Sequence, residues 1–347
     1  MEEAAEVIRT AVIGCGYWGP NLIRNLHDEP RAAVRYVCDV NPARLEGISR
    51  RYPGVKVVSD HRQVLDDREV DAVLVATPVE THFAIAGAAL KAGKHVLVEK
   101  PMTGSAASAR KLIALAEKCR RVLMVDHTFL FTAAVEKMRE IVVSGELGEI
   151  YYLDSVRVNL GLFQHDINVV WDLGPHDISI ANYLLGQTPE RVSAVGACHI
   201  SNKIQDVAYV TLYYPGNMLA HFHVNWLAPV KVRQMLVGGS RKMLLWNDIE
   251  PSEKIKVYDS GVTVRPSPNG RPDKGEIYKT LIQYRTGDMH APRLENVEAL
   301  SRVVGHFFDC IESGRPPLTN GEVGLEVIRI LEAADRSIKN HGEAVQL

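Results

Sequence analysis

The sequence predicts an α/β chain in two parts: a doubly wound parallel-sheet domain, then an α+β domain with a large, mostly antiparallel open sheet. Three observations predict it. Short apolar runs alternate with helical patterns up to about His127, a glycine turn directly follows the first run, and from Ile150 extended segments succeed one another through tight turns.

The apolar runs are Val7–Ile13, Val34–Cys38, Val55–Val58, Val70–Ala76, His95–Val98 and Val122–Val125. Strands apolar on both sides are covered on both faces, and helical connections make them parallel. The helical spacing shows in Ala109, Leu112, Ile113 and Ala116, at i, i+3, i+4 and i+7. Gly145 and Gly148 punctuate the end of this region. Extended segments follow at Ile150–Leu160, Val192–His199, Ala208–Tyr214, Met218–Asn225, Val232–Val237 and Lys242–Trp246. Tyr214-Pro215-Gly216-Asn217 and Gly238-Gly239-Ser240 read as hairpin turns, so the strands they join are antiparallel. A helix from about Asp172 to Leu185 interrupts them, and Ser260–Lys274, rich in Pro and Gly, reads as a surface loop. Two helices close the chain, the last with Val323, Val327, Ile330, Leu331, Ala334 and Ile338 on one face. The boundary is placed between residues 127 and 128, with the closing helices able to fold back on the first domain.

A chain of 347 residues exceeds one ordinary core and accommodates two domains. Hydrophobic residues at 46% and charged residues at 24% suit a globular protein, and a net charge of −2 gives no reason to expect nucleic acid or an anionic membrane as partner. The acidic start lacks the basic-then-apolar pattern of a secretory signal, and no run of apolar residues is long enough to span a bilayer. Five well-separated cysteines (Cys15, Cys38, Cys119, Cys198, Cys310) form no CxxC pair and suit free thiols. A cytoplasmic location is the expectation.

Gly14-Cys15-Gly16-Tyr17-Trp18-Gly19 is GxGxxG between a strand and a helical segment opening at Pro20. Gly14 permits the tight turn, Gly16 lets the backbone approach a pyrophosphate, and Gly19 allows close helix–sheet contact; the helix start offers N–H groups to phosphate. GxGxxG alone is weak, because a strand–helix turn without ligand uses the same glycines. The following strand, however, ends in Asp39, where a carboxylate accepts from the adenine ribose hydroxyls and repels a 2′-phosphate. NAD is therefore expected over NADP, with Arg44 nearby as the residue that would soften the preference. Ligands bind at the carboxyl ends of parallel strands, which brings in Thr77-Pro78, Glu99-Lys100-Pro101 and, after the sixth run, His127. Tyr17 and Trp18 belong beside the cofactor, although aromatics in such a loop are often simple packing.

Together these segments resemble the Gfo/Idh/MocA family of oxidoreductases. The matching pieces are GCGYWG at 14–19, Asp39, ATP at 76–78 with His82, EKP at 99–101, WDLGPHD at 171–177 and the closing GRPPLTNGEVGLEVIRILEAA at 314–334. The resemblance spans nearly the whole chain. It implies a Rossmann NAD-binding domain over 1–127, a substrate-binding and oligomerisation domain over 128–347, an active site between the two, and a homodimer or homotetramer formed through the second sheet. It also implies a catalytic group of Lys100, Asp172 and His176, with Thr77, Pro78, His82, Glu99 and Lys100 on the cofactor.

Asp172 and His176 are four apart and share one helix face; an ordinary helix start would look the same without Lys100. Oxidising an alcohol requires a base for the hydroxyl proton, which histidine suits, and a donor to stabilise alkoxide character, assigned to Lys100. Asp172 orients the pair, and the roles of Lys100 and His176 are exchangeable. For substrate, Arg157, Asn159, Gln164, His165 and Asn168 precede the helix; Arg157, Asn159 and Asn168 join Lys100, Asp172 and His176 as the expected substrate contacts. Guanidinium matches phosphate geometry, which favours a nucleotide-linked sugar. By resemblance the expected position is C3 of a UDP-N-acetylhexosamine, with an inositol or free-sugar dehydrogenase, a non-catalytic NAD-binding regulator, or a glycosidase using NAD transiently as alternatives. His221 and His223 share a strand face but lack a third ligand, so no metal site is expected.

Overall fold

The computed structural model describes residues 7–161, 163–164, 166–264 and 282–347. His165 and the 265–274 part of the expected loop lie outside them. The chain divides into two compact units, one running to Thr132 and including Val297–Glu332, the other comprising Ala133–Asn296 and Ala333–Leu347.

In the first unit six parallel strands, β1 (Ile8–Ile13), β2 (Ala32–Cys38), β3 (Lys56–Val58), β4 (Ala72–Val75), β5 (His95–Glu99) and β6 (Leu123–Asp126), lie in the order β3-β2-β1-β4-β5-β6. The order reverses between β1 and β4, the switch point at which open α/β sheets bind ligands. Val12, Val73, Leu74, Val96 and Val98 are fully buried, as strands covered on both faces require. The connecting helices are α1 (Gly19–Asp28), α2 (Pro42–Arg51), α3 (His61–Asp66), α4 (Val79–Lys91) and α5 (Ala106–Cys119). The Thr319 hydroxyl donates to the Val125 carbonyl at 2.6 Å, and the Thr319 carbonyl accepts the Val125 N–H, so the segment before the last helix guards the β6 edge.

The second unit opens with α6 (Ala133–Val143) and builds nine strands: β7 (Ile150–Leu160), β8 (Arg191–Ala197), β9 (Val207–Tyr213), β10 (Leu219–Asn225), β11 (Leu227–Gly239), β12 (Met243–Asn247), β13 (Ile255–Val264), β14 (Ile282–His290) and β15 (Val345–Gln346). Their order is β14-β13-β12-β11-β7-β10-β9-β8-β15, antiparallel throughout except where β10 runs parallel to β7. Both expected hairpins form: Tyr214 N–H bonds the Met218 carbonyl, and Gly239 N–H the Lys242 carbonyl. Period-two alternation buries Ala208, Val210, Leu212, Ala220, Phe222 and Val224 on one face. Helix α7 (Val169–Leu185) covers β9 and β10, whereas α8 (Ala299–Ser313) and the greater part of α9 (Gly321–Lys339) belong to the first unit. Val327, Ile330, Leu331 and Ala334 of α9 are buried, as their spacing predicts.

Three expectations need correction. Ser260–Val264 is not loop but the end of β13, paired with Ile282–Thr286 of β14; Ser260 and Gly261 disguise the strand. β11 runs well beyond Val232–Val237, its bulged start pairing Leu227 with Leu160. Helix α7 begins at Val169, three residues early, because Asn168 caps it: its Oδ1 accepts the Val170 and Trp171 N–H groups at 3.0 and 3.1 Å.

A Cβ on Gly239 would lie 2.2 Å from the Leu147 carbonyl oxygen and 2.8 Å from that of Lys242. Gly239→Ala should therefore cost about 1–3 kcal/mol, read as a lowered midpoint in thermal or urea unfolding.

Candidate active site

Residues of the first unit

The glycine turn is set by backbone contact. Gly14 has φ +103°, and a Cβ there would lie 2.5 Å from the Ala76 carbonyl oxygen, so only glycine lets β1 end against the end of β4. A Cβ on Gly19 would meet the Gly14 oxygen at 2.1 Å; this glycine closes the turn on itself rather than serving helix–sheet contact. Gly16 has nothing within 4 Å of its Cβ position. The start of α1 carries neither a side-chain cap nor an acidic residue in its first turn. An open glycine before an uncapped helix start is the cradle that a pyrophosphate fills.

Asp39, at the end of β2, is buried and already engaged. Its Oδ2 accepts the Cys15 N–H at 2.6 Å and Arg44 at 3.3 Å, and its Oδ1 accepts the Asn41 N–H at 2.8 Å. A carboxylate has roughly four acceptor positions, so Asp39 anchors the turn and retains an acceptor position for a ribose hydroxyl. Burial, with Asp39 beside it, pushes the Cys15 thiol up to about 12, which makes it an unreactive packing residue.

Beneath the turn, His82 on α4 is buried with Nε2 2.7 Å from the Thr77 carbonyl and Nδ1 3.0 Å from that of Pro101. It ties together the loops after β4 and β5; in this position it supports Thr77, Pro78 and Lys100. The Lys100–Pro101 peptide is cis. Tyr17 is exposed, whereas Trp18 donates its Nε1 proton to Asp126 Oδ2 at 3.1 Å. Asp126, at the end of β6 and paired in register with Glu99 of β5, was not singled out from the sequence. It also accepts from the Thr128 hydroxyl at 2.6 Å. An acid ending the sixth strand was the available signal.

His127 is 1% exposed, and neither ring nitrogen has a partner. Burial, then the nearby Lys100 charge, pushes it down to about 3, so it is a neutral imidazole with one donor and one acceptor unused. Leaving such groups buried costs about 1–3 kcal/mol each. The orphaned nitrogens fit the carboxamide of a nicotinamide, which supplies one complementary acceptor and donor.

Residues of the second unit

Asp172 and His176 lie one turn apart on α7, both half-buried, with Pro175 inside the helix between Gly174 and His176. Trp226, after β10, donates its Nε1 proton to Asp172 Oδ2 at 3.0 Å. Phe163 meets the Trp226 ring edge-on at 5.5 Å. Trp226 was not expected as part of the site; only its place at a strand end could have suggested it.

Two expected substrate contacts are corrected. The Arg157 side chain, 3% exposed, is forked onto Asp177: Nε lies 3.1 and 3.0 Å from the two carboxylate oxygens and Nη2 2.6 Å from Oδ1. A guanidinium so engaged fixes α7 to β7 one residue from His176 and is not presented to a phosphate. Asn168 is spent as the α7 cap, and its Nδ2 donates to Asp335 at 2.9 Å and Gln205 at 3.3 Å. Trp171 also donates to Asp335, at 2.7 Å, so α9 holds the start of α7 in place. Asn159 remains half-exposed on β7. His221 and His223 stack on Tyr209 at 6.1 and 4.6 Å, and no group of three metal-ligating side chains occurs among the described residues.

Relatives

An open glycine cradle at a parallel-sheet switch point fits a dinucleotide-binding domain. Residues 8–127 match the model of the oxidoreductase family with NAD-binding Rossmann fold, and residues 135–245 match the Gfo/Idh/MocA C-terminal domain. The chain belongs to the Gfo/Idh/MocA family, and its first domain is NAD-binding. It is 25% identical to the myo-inositol 2-dehydrogenase of Thermotoga maritima over 96% of each chain. It is 27% identical to the UDP-N-acetylglucosamine 3-dehydrogenase of Acidithiobacillus ferrooxidans, over 92% of this chain and 94% of that one. A solved structure from Magnetospirillum magnetotacticum MS-1 is 31% identical with a TM-score of 0.78, covering 94% of this chain and 99% of the other.

Arg157→Met should destabilise the protein by about 3–5 kcal/mol by stranding Asp177 in the core. Arg157→Met combined with Asp177→Leu should recover much of that loss in urea unfolding; no recovery would mean that Arg157 serves something other than this pair.

Proposed function

We propose that the chain transfers a hydride between a secondary alcohol carbon of a sugar and the nicotinamide of NAD, with C3 of a nucleotide-linked N-acetylhexosamine as the reacting position. The observation that carries the oxidoreductase reading is the open Gly16 cradle together with the orphaned, buried His127 imidazole. Bound NAD supplies the hydride acceptor. Gly16 and the α1 start would hold its phosphates, Asp39 would set the turn against the adenosine side, and His127 would receive the carboxamide.

His176 takes the hydroxyl proton as the alcohol is oxidised and returns it in the reverse direction. Asp172, held by Trp226, orients the imidazole. Lys100 donates to the reacting oxygen, where its charge offsets developing alkoxide character. Arg157 is a positioning residue: through Asp177 it fixes the helix that carries His176.

The acidithiobacillus relative supports the nucleotide-sugar substrate. The engagement of Arg157 by Asp177 removes the phosphate-matching guanidinium and favours a second reading, a cyclitol or free-sugar dehydrogenase, which the Thermotoga relative also supports. The five cysteines are all free thiols and support a reducing compartment, and no helix among the described residues is long and apolar enough to cross a membrane. The sheet face bearing Tyr209, Leu219, His221 and His223, opposite the α7-covered one, is the surface we assign to a homodimer or homotetramer. Light scattering should give twice or four times the chain mass, and a monomer mass would remove this assignment.

His176→Ala should lower turnover by about 100-fold or more while NADH still binds. NADH formation from UDP-N-acetylglucosamine but not myo-inositol is expected; the reverse would select the cyclitol reading, and wild-type turnover in His176→Ala would remove its role as base.

A further inference from the structure

The carboxyl ends of β5 and β6 bring two acids side by side in the interior. Glu99 and Asp126 are register partners on neighbouring strands, and Asp126 is 1% exposed. Two carboxyl groups packed side by side out of water favour one shared proton over two like charges. Asp126 also accepts from Trp18 Nε1 and from the Thr128 hydroxyl, so two donors converge on it, from the glycine turn and the segment after β6. Glu99 Oε1 is buried with no partner.

We propose that Glu99 and Asp126 hold one proton between them, and that this pair is the brace fixing Trp18, and with it the glycine turn, for dinucleotide binding. The positioning role rests on the NAD reading above; the shared proton does not. Glu99, Asp126 and Trp18 act as positioning residues. Beside the Asp39 contact, this gives the turn a second hold: its one large anchored side chain is bound to the end of β6.

The charged and titratable groups around the pair are Lys100 beside Glu99, His127 after Asp126, and His82 of α4, which also feels Lys100. The segment closing on β6 brings Thr319 and Asn320, neither titratable. His127 and His82 are both held toward the neutral form, chiefly by burial. Lys100 favours ionisation of Glu99 but is outweighed: burial, then Asp126, hold the Glu99 carboxyl well above the usual carboxylate range. The folded protein therefore keeps a proton that the unfolded chain loses near the ordinary glutamate pKa. The unfolded state binds fewer protons there, so this group's contribution to stability falls as pH rises from that range toward the raised value.

Glu99→Gln retains a donor for Asp126 and cannot ionise. In ligand-free protein its melting temperature relative to wild type should rise between about pH 5 and about pH 8, while a pH-independent difference would overturn the shared proton. If that variant fails to fold, wild type suffices: its infrared spectrum at neutral pH should contain the carbonyl band of a protonated carboxylic acid, and its absence would overturn the proposal. NADH fluorescence titration tests the brace. Asp126→Asn and Trp18→Phe should each raise the NADH Kd about tenfold; an unchanged Kd, even with a lowered melting temperature, would reduce both residues to stability alone. A wild type that binds no NADH would defeat the cofactor reading and the positioning role with it, and leave the melting comparison to judge the shared proton.

Discussion

The ends of β1, β2 and β4 meet through two contacts that admit almost no variation. Gly14 lies against the Ala76 carbonyl with no room for a Cβ, and the Asp39 carboxylate takes the Cys15 N–H at 2.6 Å. The first is steric and the second electrostatic, and together they hold the main chain of the turn open at Gly16. Everything assigned to the first unit depends on that opening, because a dinucleotide needs bare backbone N–H groups at a helix start. Asp39 thus acts first on its own chain and only then on a ligand.

The second unit solves a different problem, keeping Asp172 and His176 half-exposed on a helix most of whose side chains are buried. Asn168 caps α7, Asp335 takes protons from Asn168 and Trp171, and Arg157 grips Asp177 in the core. Each polar group is satisfied by a partner from another element, which is how buried polarity is tolerated. Asp172 and His176 inherit a fixed orientation from these contacts rather than from helix propensity, which Gly174 and Pro175 both oppose.

Legibility in the sequence followed locality. The parallel strands, the GxGxxG turn and the apolar stripe of α9 were readable because each is written in a short window of periodic or special residues. What escaped was set by long-range pairing. Asp126 and Glu99 are 27 positions apart and become partners only through strand register; Trp226 reaches Asp172 across 54 positions. Arg157 misled because a buried ion pair and a phosphate ligand demand the same guanidinium. β13 escaped because glycine and serine near its middle resemble loop composition, while its pairing with β14 is decided by distant residues.

A crystal structure of the protein grown with NADH is the most direct measurement of the central claim. The account predicts the pyrophosphate against the Gly16 backbone at the start of α1 and the carboxamide within hydrogen-bond distance of the His127 ring. A dinucleotide seated elsewhere, or an undisturbed turn with His127 still unpartnered in nucleotide-saturated crystals, would contradict it.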